Sequence, residues 1–191
     1  MRDIRNSLLA GVLIGLGGFA FISVGGGIQG ALLFSLGLLS VLILKADLYT
    51  GWVCRPERYN IKMPLVLIGN ALGAIMLGII SSGIIDPEFV STVCTNKLSH
   101  SVAHWFIASV FCGIFIGVAV RSWDKKQSEL LTIFCVMGFI LTGSEHVVAD
   151  IYYFSAALMF SFDVLLKICV AALGNMTGGY LVLSLIDSNR G

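Results

Sequence analysis

Glu145, His146 and Asp150 lie within Thr-Gly-Ser-Glu-His-Val-Val-Ala-Asp (142–150), in the middle of an apolar run. Leu130 to Leu141 is apolar except for Thr132, and Ile151 to Phe162 is largely apolar and aromatic again. A membrane span read across this run sets all three ionisable groups near the driest depth of a bilayer. Each charge there costs at least ~2.5–3.5 kcal/mol on insertion scales, so the default reading is a functional site facing protein or a pore. His146 is the group there able to supply a proton near pH 7. Gly143 and Ser144 loosen the helix, and a non-helical turn at this depth survives only where it lines a cavity. The blander alternative is a hydrogen-bonded cluster that only fixes packing.

A second interruption favours the functional reading. Lys45-Ala-Asp-Leu-Tyr-Thr-Gly51 places two charges and a turn signal inside an earlier apolar run. The Thr50 hydroxyl can donate to an anion or an imidazole; otherwise it is a helix cap beside Gly51. Asp47 and Glu145 suit loop amides or helix N-termini better than an anion, which like charge repels. Lys45 either pairs with Asp47 or attracts anions. His100 and His104 are spaced i, i+4 with Cys94 nearby, but a fourth ligand is lacking, so no metal is expected. No cofactor is expected either. An intramembrane enzyme built on His146 and Glu145 lacks a nucleophile or metal partner set.

The elements that must carry these residues follow from composition. Of 191 residues, 57% are hydrophobic and only 12% charged, against about 25% charged in soluble domains. This is an integral membrane protein, and with ~20 residues per span six spans use most of the chain. Net charge is +1, which suggests no nucleic-acid partner. The five cysteines show no C-x-x-C spacing, so neither a disulfide framework nor a zinc site is implied. The expected spans are Ser7–Val24, Ile28–Leu44, Pro64–Ile85, Val102–Trp123, the interrupted Leu130–Phe162, and Val164–Ile186. Gly25-Gly26-Gly27 makes the first turn, and 86–101 is a polar connector.

The order of landmarks repeats. Gly-xxx-Gly, a broken span and Gly-Asn-xx-Gly occur as Gly11/Gly15, 45–51 and Gly69-Asn70/Gly73. They occur again as Gly113/Gly117, 142–150 and Gly174-Asn175/Gly178. Three spans per half invert the second copy relative to the first, an architecture of secondary transporters whose breaks mark the pathway. The expected fold is an all-α membrane protein of six transmembrane helices in two inverted three-helix repeats, with helices 2 and 5 broken. It forms a single transmembrane domain over 1–191, divided at about 95/96.

These residues also resemble a known family. Leu48-Tyr49-Thr50-Gly51 resembles the Leu-Phe-Thr-Gly signature of the formate/nitrite transporter family, and Glu145-His146-Val-Val-Ala-Asp150 resembles its Glu-His-Ser-Val-Ala-Asn signature. Gly69-Asn70 and Gly174-Asn175 match its Gly-Asn elements. The resemblance implies an aquaporin-like homopentamer with one pore per protomer, passing small inorganic or organic anions such as formate, nitrite and hydrosulfide. It implies that Thr50 and His146 face each other across the pore, and that Phe34, Leu38, Leu48 and Phe139 form hydrophobic constrictions. Asp47, Gly51, Glu145, Asp150, Asn70 and Asn175 would support the breaks. The chain departs from the family pattern at Ser128, where a Lys is usual, at Asp150, where an Asn is usual, and at Gly117. The alternative of another transport class is a channel for a neutral solute such as water or ammonia.

Basic residues give the orientation. One side holds Arg2, Arg5, Arg55, Arg58, Lys62, Arg121, Lys125, Lys126 and Arg190; the other holds Lys97 and Lys167. Both termini are therefore expected in the cytoplasm, in a bacterial or archaeal inner membrane. Reporter fusions at Gly191 and within 86–101 should report opposite sides of the membrane. The same side for both would end the six-span arrangement.

Overall fold

The computed structural model describes residues 2–55 and 62–188. Arg58 and Arg190, counted above for orientation, lie outside the described residues. The described residues form helices only: α1 (Arg2–Ser23), α2 (Gly27–Ile43), α3 (Tyr49–Trp52), α4 (Met63–Ser81), α5 (Pro87–Ser99), α6 (Val102–Lys126), α7 (Glu129–Leu141), α8 (Val147–Ala156) and α9 (Phe162–Ser188). Four are long and apolar enough to cross a membrane: Ile4–Ser23, Met63–Ser81, Val102–Lys126 and Phe162–Ile186. Gly27–Ile43, Glu129–Leu141 and Val147–Ala156 are apolar but shorter.

Local chemistry sets the ends of these helices. Gly25, Gly26 and Gly27 all have positive φ and turn the chain between α1 and α2. The expected connector 86–101 is mostly helix. Asp86 caps α5, accepting from the N–H groups of Glu88 (2.9 Å) and Phe89 (3.2 Å), and Pro87 opens the first turn. Val90 and Cys94, one turn apart, are buried and hold α5 to the bundle. Ser101 caps α6 and Ser128 caps α7. Ser128, the departure noted above, is thus a helix cap.

α1 packs along α4, and α6 along α9. Each seam is closed by glycine against backbone. A Cβ on Gly11 would stand 2.0 Å from the Asn70 carbonyl oxygen, and one on Gly113 would stand 2.4 Å from that of Asn175. Small residues of this kind let membrane helices approach closely. The short helices cross between the seams. α8 packs on α4 and α1 as well as α9, while α3 touches α6, α9 and α4; α2 lies against α7. Every residue of α8 is buried, Asp150 included, whose charge is met by Lys97. Outward faces carry large apolar side chains, Ile28, Ile80, Phe162 and Leu185 among them, as a bilayer demands.

Gly113→Val should force α6 from α9 and cost about 1–3 kcal/mol or more by overpacking. Thermal unfolding in detergent should show a lower midpoint and poorer recovery; an unchanged midpoint would mean the seam tolerates separation.

Candidate functional site

The interruptions at 44–48 and 142–146 share one backbone geometry. α2 ends with Lys45 N–H on the Leu42 carbonyl (3.3 Å) and Ala46 N–H on Val41 (3.0 Å). α7 ends with Gly143 N–H on Ile140 (3.2 Å) and Ser144 N–H on Phe139 (3.0 Å). Each is a Schellman-type stop, with the left-handed position taken by Lys45 (φ 55°) and Gly143 (φ 68°).

One asparagine amide then holds each extended stretch. Asn70 accepts from the Tyr49 N–H (2.8 Å) and donates to the carbonyls of Asp47 (2.8 Å) and Ser7 (2.7 Å). Asn175 accepts from the Val147 N–H (3.0 Å) and donates to the carbonyls of Glu145 (2.8 Å) and Ser109 (2.9 Å). Both asparagines are fully buried. They supply partners that unwound backbone in a dry interior must find. The residues presented between the clamped groups are Leu48 in one stretch and His146 in the other.

His146 caps α8, its Nδ1 accepting from the Ala149 N–H at 3.2 Å. A neutral imidazole has one acceptor and one donor nitrogen, so this cap assigns the ring proton to Nε2. Nε2 lies 3.0 Å from Thr50 Oγ1. With Nε2–H donating to Thr50, the Thr50 hydroxyl keeps its own proton to donate elsewhere. The His146 ring stacks on Phe139 at 5.7 Å between centroids, and Phe139 meets Phe34 edge-on at 5.8 Å. Phe34, Leu38, Leu48 and Phe139 are each 1% exposed.

This cluster separates two cavities. One, of about 510 Å³, is lined by Leu38, Leu48, Gly51, Lys45, Arg55 and Arg121, among others, and reaches Val120–Gln127 at the C-terminal end of α6. The other, of about 240 Å³, is lined by Phe139, His146, Lys97, Glu145, Asp150 and Tyr153, among others, and adjoins α5, which leads into the N-terminal end of α6. α6 has 25 residues and is about 37 Å long, so the cavities open toward opposite ends of the bundle. Lys45 is exposed at the first. There Arg55 makes a two-pronged ion pair with Asp124 (2.9 and 2.7 Å).

Both carboxylates meet side-chain donors. Asp47 accepts from the Trp52 indole N–H at 3.0 Å. Glu145 accepts from Lys97, which also donates to Asp150 Oδ1 at 2.9 Å. Burial opposes the Lys97 charge, but Asp150 and Glu145 outweigh it and hold the ammonium protonated well above the ordinary lysine range. The Trp105 indole N–H bonds the Lys97 carbonyl at 2.8 Å. Lys97 escapes a sequence reading because it is 48 residues from Glu145 on an ordinary connector. His100 and His104 stack on each other at 4.1 Å, and no cluster able to hold a metal occurs among the described residues.

The fold and site define a polytopic helical membrane protein with a polar, buried break between two cavities. Residues 2–188 match the family model described as "Formate/nitrite transporter", and the chain belongs to that family, whose members are transport proteins and not enzymes. It is 26% identical to "Formate-nitrite transporter 3" of Toxoplasma gondii over 93% of this chain and 45% of that protein. It is 24% identical to "Uncharacterized transporter YrhG" of Bacillus subtilis over 97% of this chain and 86% of that protein. The chain spans about half the length of the apicomplexan relatives. The fold matches an "FNT family ion channel" with a TM-score of 0.89 at 19% identity, covering 100% of this chain and 90% of that one. It also matches a "Pentameric formate channel with formate bound" with a TM-score of 0.85 at 19% identity, covering 99% and 96%.

Asn175→Asp keeps the acceptor for Val147 but removes both donors, leaving the Glu145 carbonyl without its amide and the Ser109 carbonyl with its helical bond alone. Each unmade buried bond costs about 1–3 kcal/mol. Detergent melting should place Asn175→Asp nearly as low as Asn175→Ala. A parent-like midpoint would mean the clamp contributes nothing.

Proposed function

We propose that the protein is a channel for small monovalent anions of weak acids, formate, nitrite or hydrosulfide, with passage linked to a proton through His146. The observation that carries this reading is the buried Thr50–His146 hydrogen bond, 3.0 Å long, set between cavities that open toward opposite ends of the bundle. Membership of the formate/nitrite transporter family supports it.

The two matching helix stops and the two asparagine clamps support an inverted pair of three-span repeats, about 1–95 and 96–191, in one transmembrane unit with spans 2 and 5 broken. Homopentameric assembly is proposed from the pentameric formate channel whose fold this chain matches. A bacterial or archaeal cell membrane, with both termini cytoplasmic, fits the basic asymmetry. One relative whose length this chain largely covers is bacterial.

In this reading an anion enters either cavity hydrated and meets Phe34, Leu38, Leu48 and Phe139. A bare charge among apolar side chains loses hydration worth many kcal/mol and neutralises instead. Thr50 orients the anion with its free hydroxyl proton. A His146 ring that has taken up a second proton passes its Nε2 proton to Thr50 Oγ1 as Thr50 gives its own to the anion. The anion then crosses as a neutral acid and the ring returns to its neutral form. Asp47, Gly51, Glu145, Asp150, Asn70 and Asn175 keep the two breaks in register.

Formate uptake into proteoliposomes, with proton movement followed alongside, tests this. His146→Asn still caps a helix well, but its shorter side chain stops short of Thr50 and does not titrate. It should lower uptake about tenfold or more, the range for losing one acid–base group, and flatten the pH dependence. A variant with the parent's pH profile and co-moving protons would make His146 purely structural. Water or ammonia flux without anion flux would favour a neutral-solute pore.

A further inference from the structure

Glu145 and Asp150 are the buried acidic side chains among the described residues, each 1% exposed. One base serves both: Lys97 bonds Glu145 Oε2 and Asp150 Oδ1. The second Asp150 oxygen, Oδ2, is buried with no hydrogen-bond partner, and so is the Tyr153 hydroxyl. Both residues line the 240 Å³ cavity with Lys97 and His146. With both carboxylates ionised, the cluster carries one uncompensated negative charge on side chains that are almost wholly buried. Buried charges of that kind are paired or take up a proton.

Among the described residues the surroundings supply no second cation. From α5, Cys94 is buried near the cluster and His100 lines the cavity wall. From α6, Cys112 is buried close by. From α8 comes Tyr153. From α9, Lys167 is committed to the Leu98 carbonyl and to Asp163, the latter at 3.1 Å. His146 presents Nδ1 to the Ala149 N–H and Nε2 to Thr50, not to the carboxylates.

We propose that Lys97, Glu145 and Asp150 form a proton-binding site distinct from His146, in which the two carboxylates hold one proton, and that loss of this proton closes the α5-side cavity to anions. With the proton bound, the cluster is neutral and a small anion enters beside the Lys97 ammonium. With the proton released, the same wall is net negative and repels it. Acid therefore opens the cavity and alkali closes it, independently of how much of the permeant acid is itself protonated. An amide at 150 would keep the bond from Lys97 but remove the titration.

The effect on flux rests on the proposed anion pathway; the proton does not. Reconstituted protein is titrated by infrared difference spectroscopy, where a protonated buried carboxyl gives a carbonyl band that shifts in heavy water. The parent should show this band near neutral pH and lose it as pH rises. Asp150→Asn and Glu145→Gln should each lack it. In Asp150→Asn, formate uptake at alkaline pH should exceed the parent's by about tenfold, the scale of one unit charge acting through about 10 Å of protein, while the part of the pH dependence that belongs to His146 remains. A parent without the band at any pH where it stays folded overturns the proposal, even if neither variant can be purified. An unaltered band in either variant overturns it too. Failure of all anion uptake with the band present would sink the channel reading and leave the proton site standing.

Discussion

The satisfaction of unwound backbone inside a membrane is the constraint on which the other features depend. A helix that stops at mid-depth exposes N–H and C=O groups where each unmet bond costs several kcal/mol. Asn70 and Asn175 meet it identically, with one acceptor and two donors each. Each amide also reaches a neighbouring helix, at Ser7 or at Ser109, so the clamp that satisfies a break also sets where that break sits in the bundle. Gly11 and Gly113 let that neighbour come close enough. A lengthened side chain such as glutamine would carry the same groups one methylene out of place.

What the clamps present differs between halves. The first holds out Leu48, an apolar side chain; the second holds out His146. A backbone of one design therefore presents an apolar side chain in one half and an imidazole in the other. His146 has two duties, since Nδ1 caps α8 while Nε2 meets Thr50. A second proton on Nδ1 would remove the acceptor that holds the first turn of α8. Acid–base chemistry at this ring is thereby tied to the geometry of the helix it starts.

Much of the site was legible in the sequence because ionisable residues inside apolar runs are anomalous. That drew attention to 45–51 and 142–150, and the resemblance supplied the Thr50–His146 pairing, which no local spacing would give. The Gly-Asn pairs were visible as landmarks, but their purpose was not. Asn70 reaches back 23 residues to Asp47, and Asn175 reaches back 30 to Glu145, distances that carry no periodic signal. Lys97 was invisible for the same reason. Asp86-Pro87 did encode a helix start, yet the polar composition of 86–101 reads as a loop when the buried pair Val90 and Cys94 is passed over. The third span ends at Ser81, not Ile85, because apolar residues continue into the turn.

Lys45 occupies left-handed backbone that Gly143 occupies at the matching stop. A residue with a Cβ is strained there by roughly 1–2 kcal/mol, whereas glycine is not. Lys45 also puts a cation at the rim of the wider cavity. Folding economy and electrostatic reach thus pull in opposite directions at one residue. Glycine at this position would relieve the backbone strain and take a positive charge from the cavity rim, so stability and the electrostatics of that rim can be varied at a residue outside the Phe34–Phe139–His146 cluster.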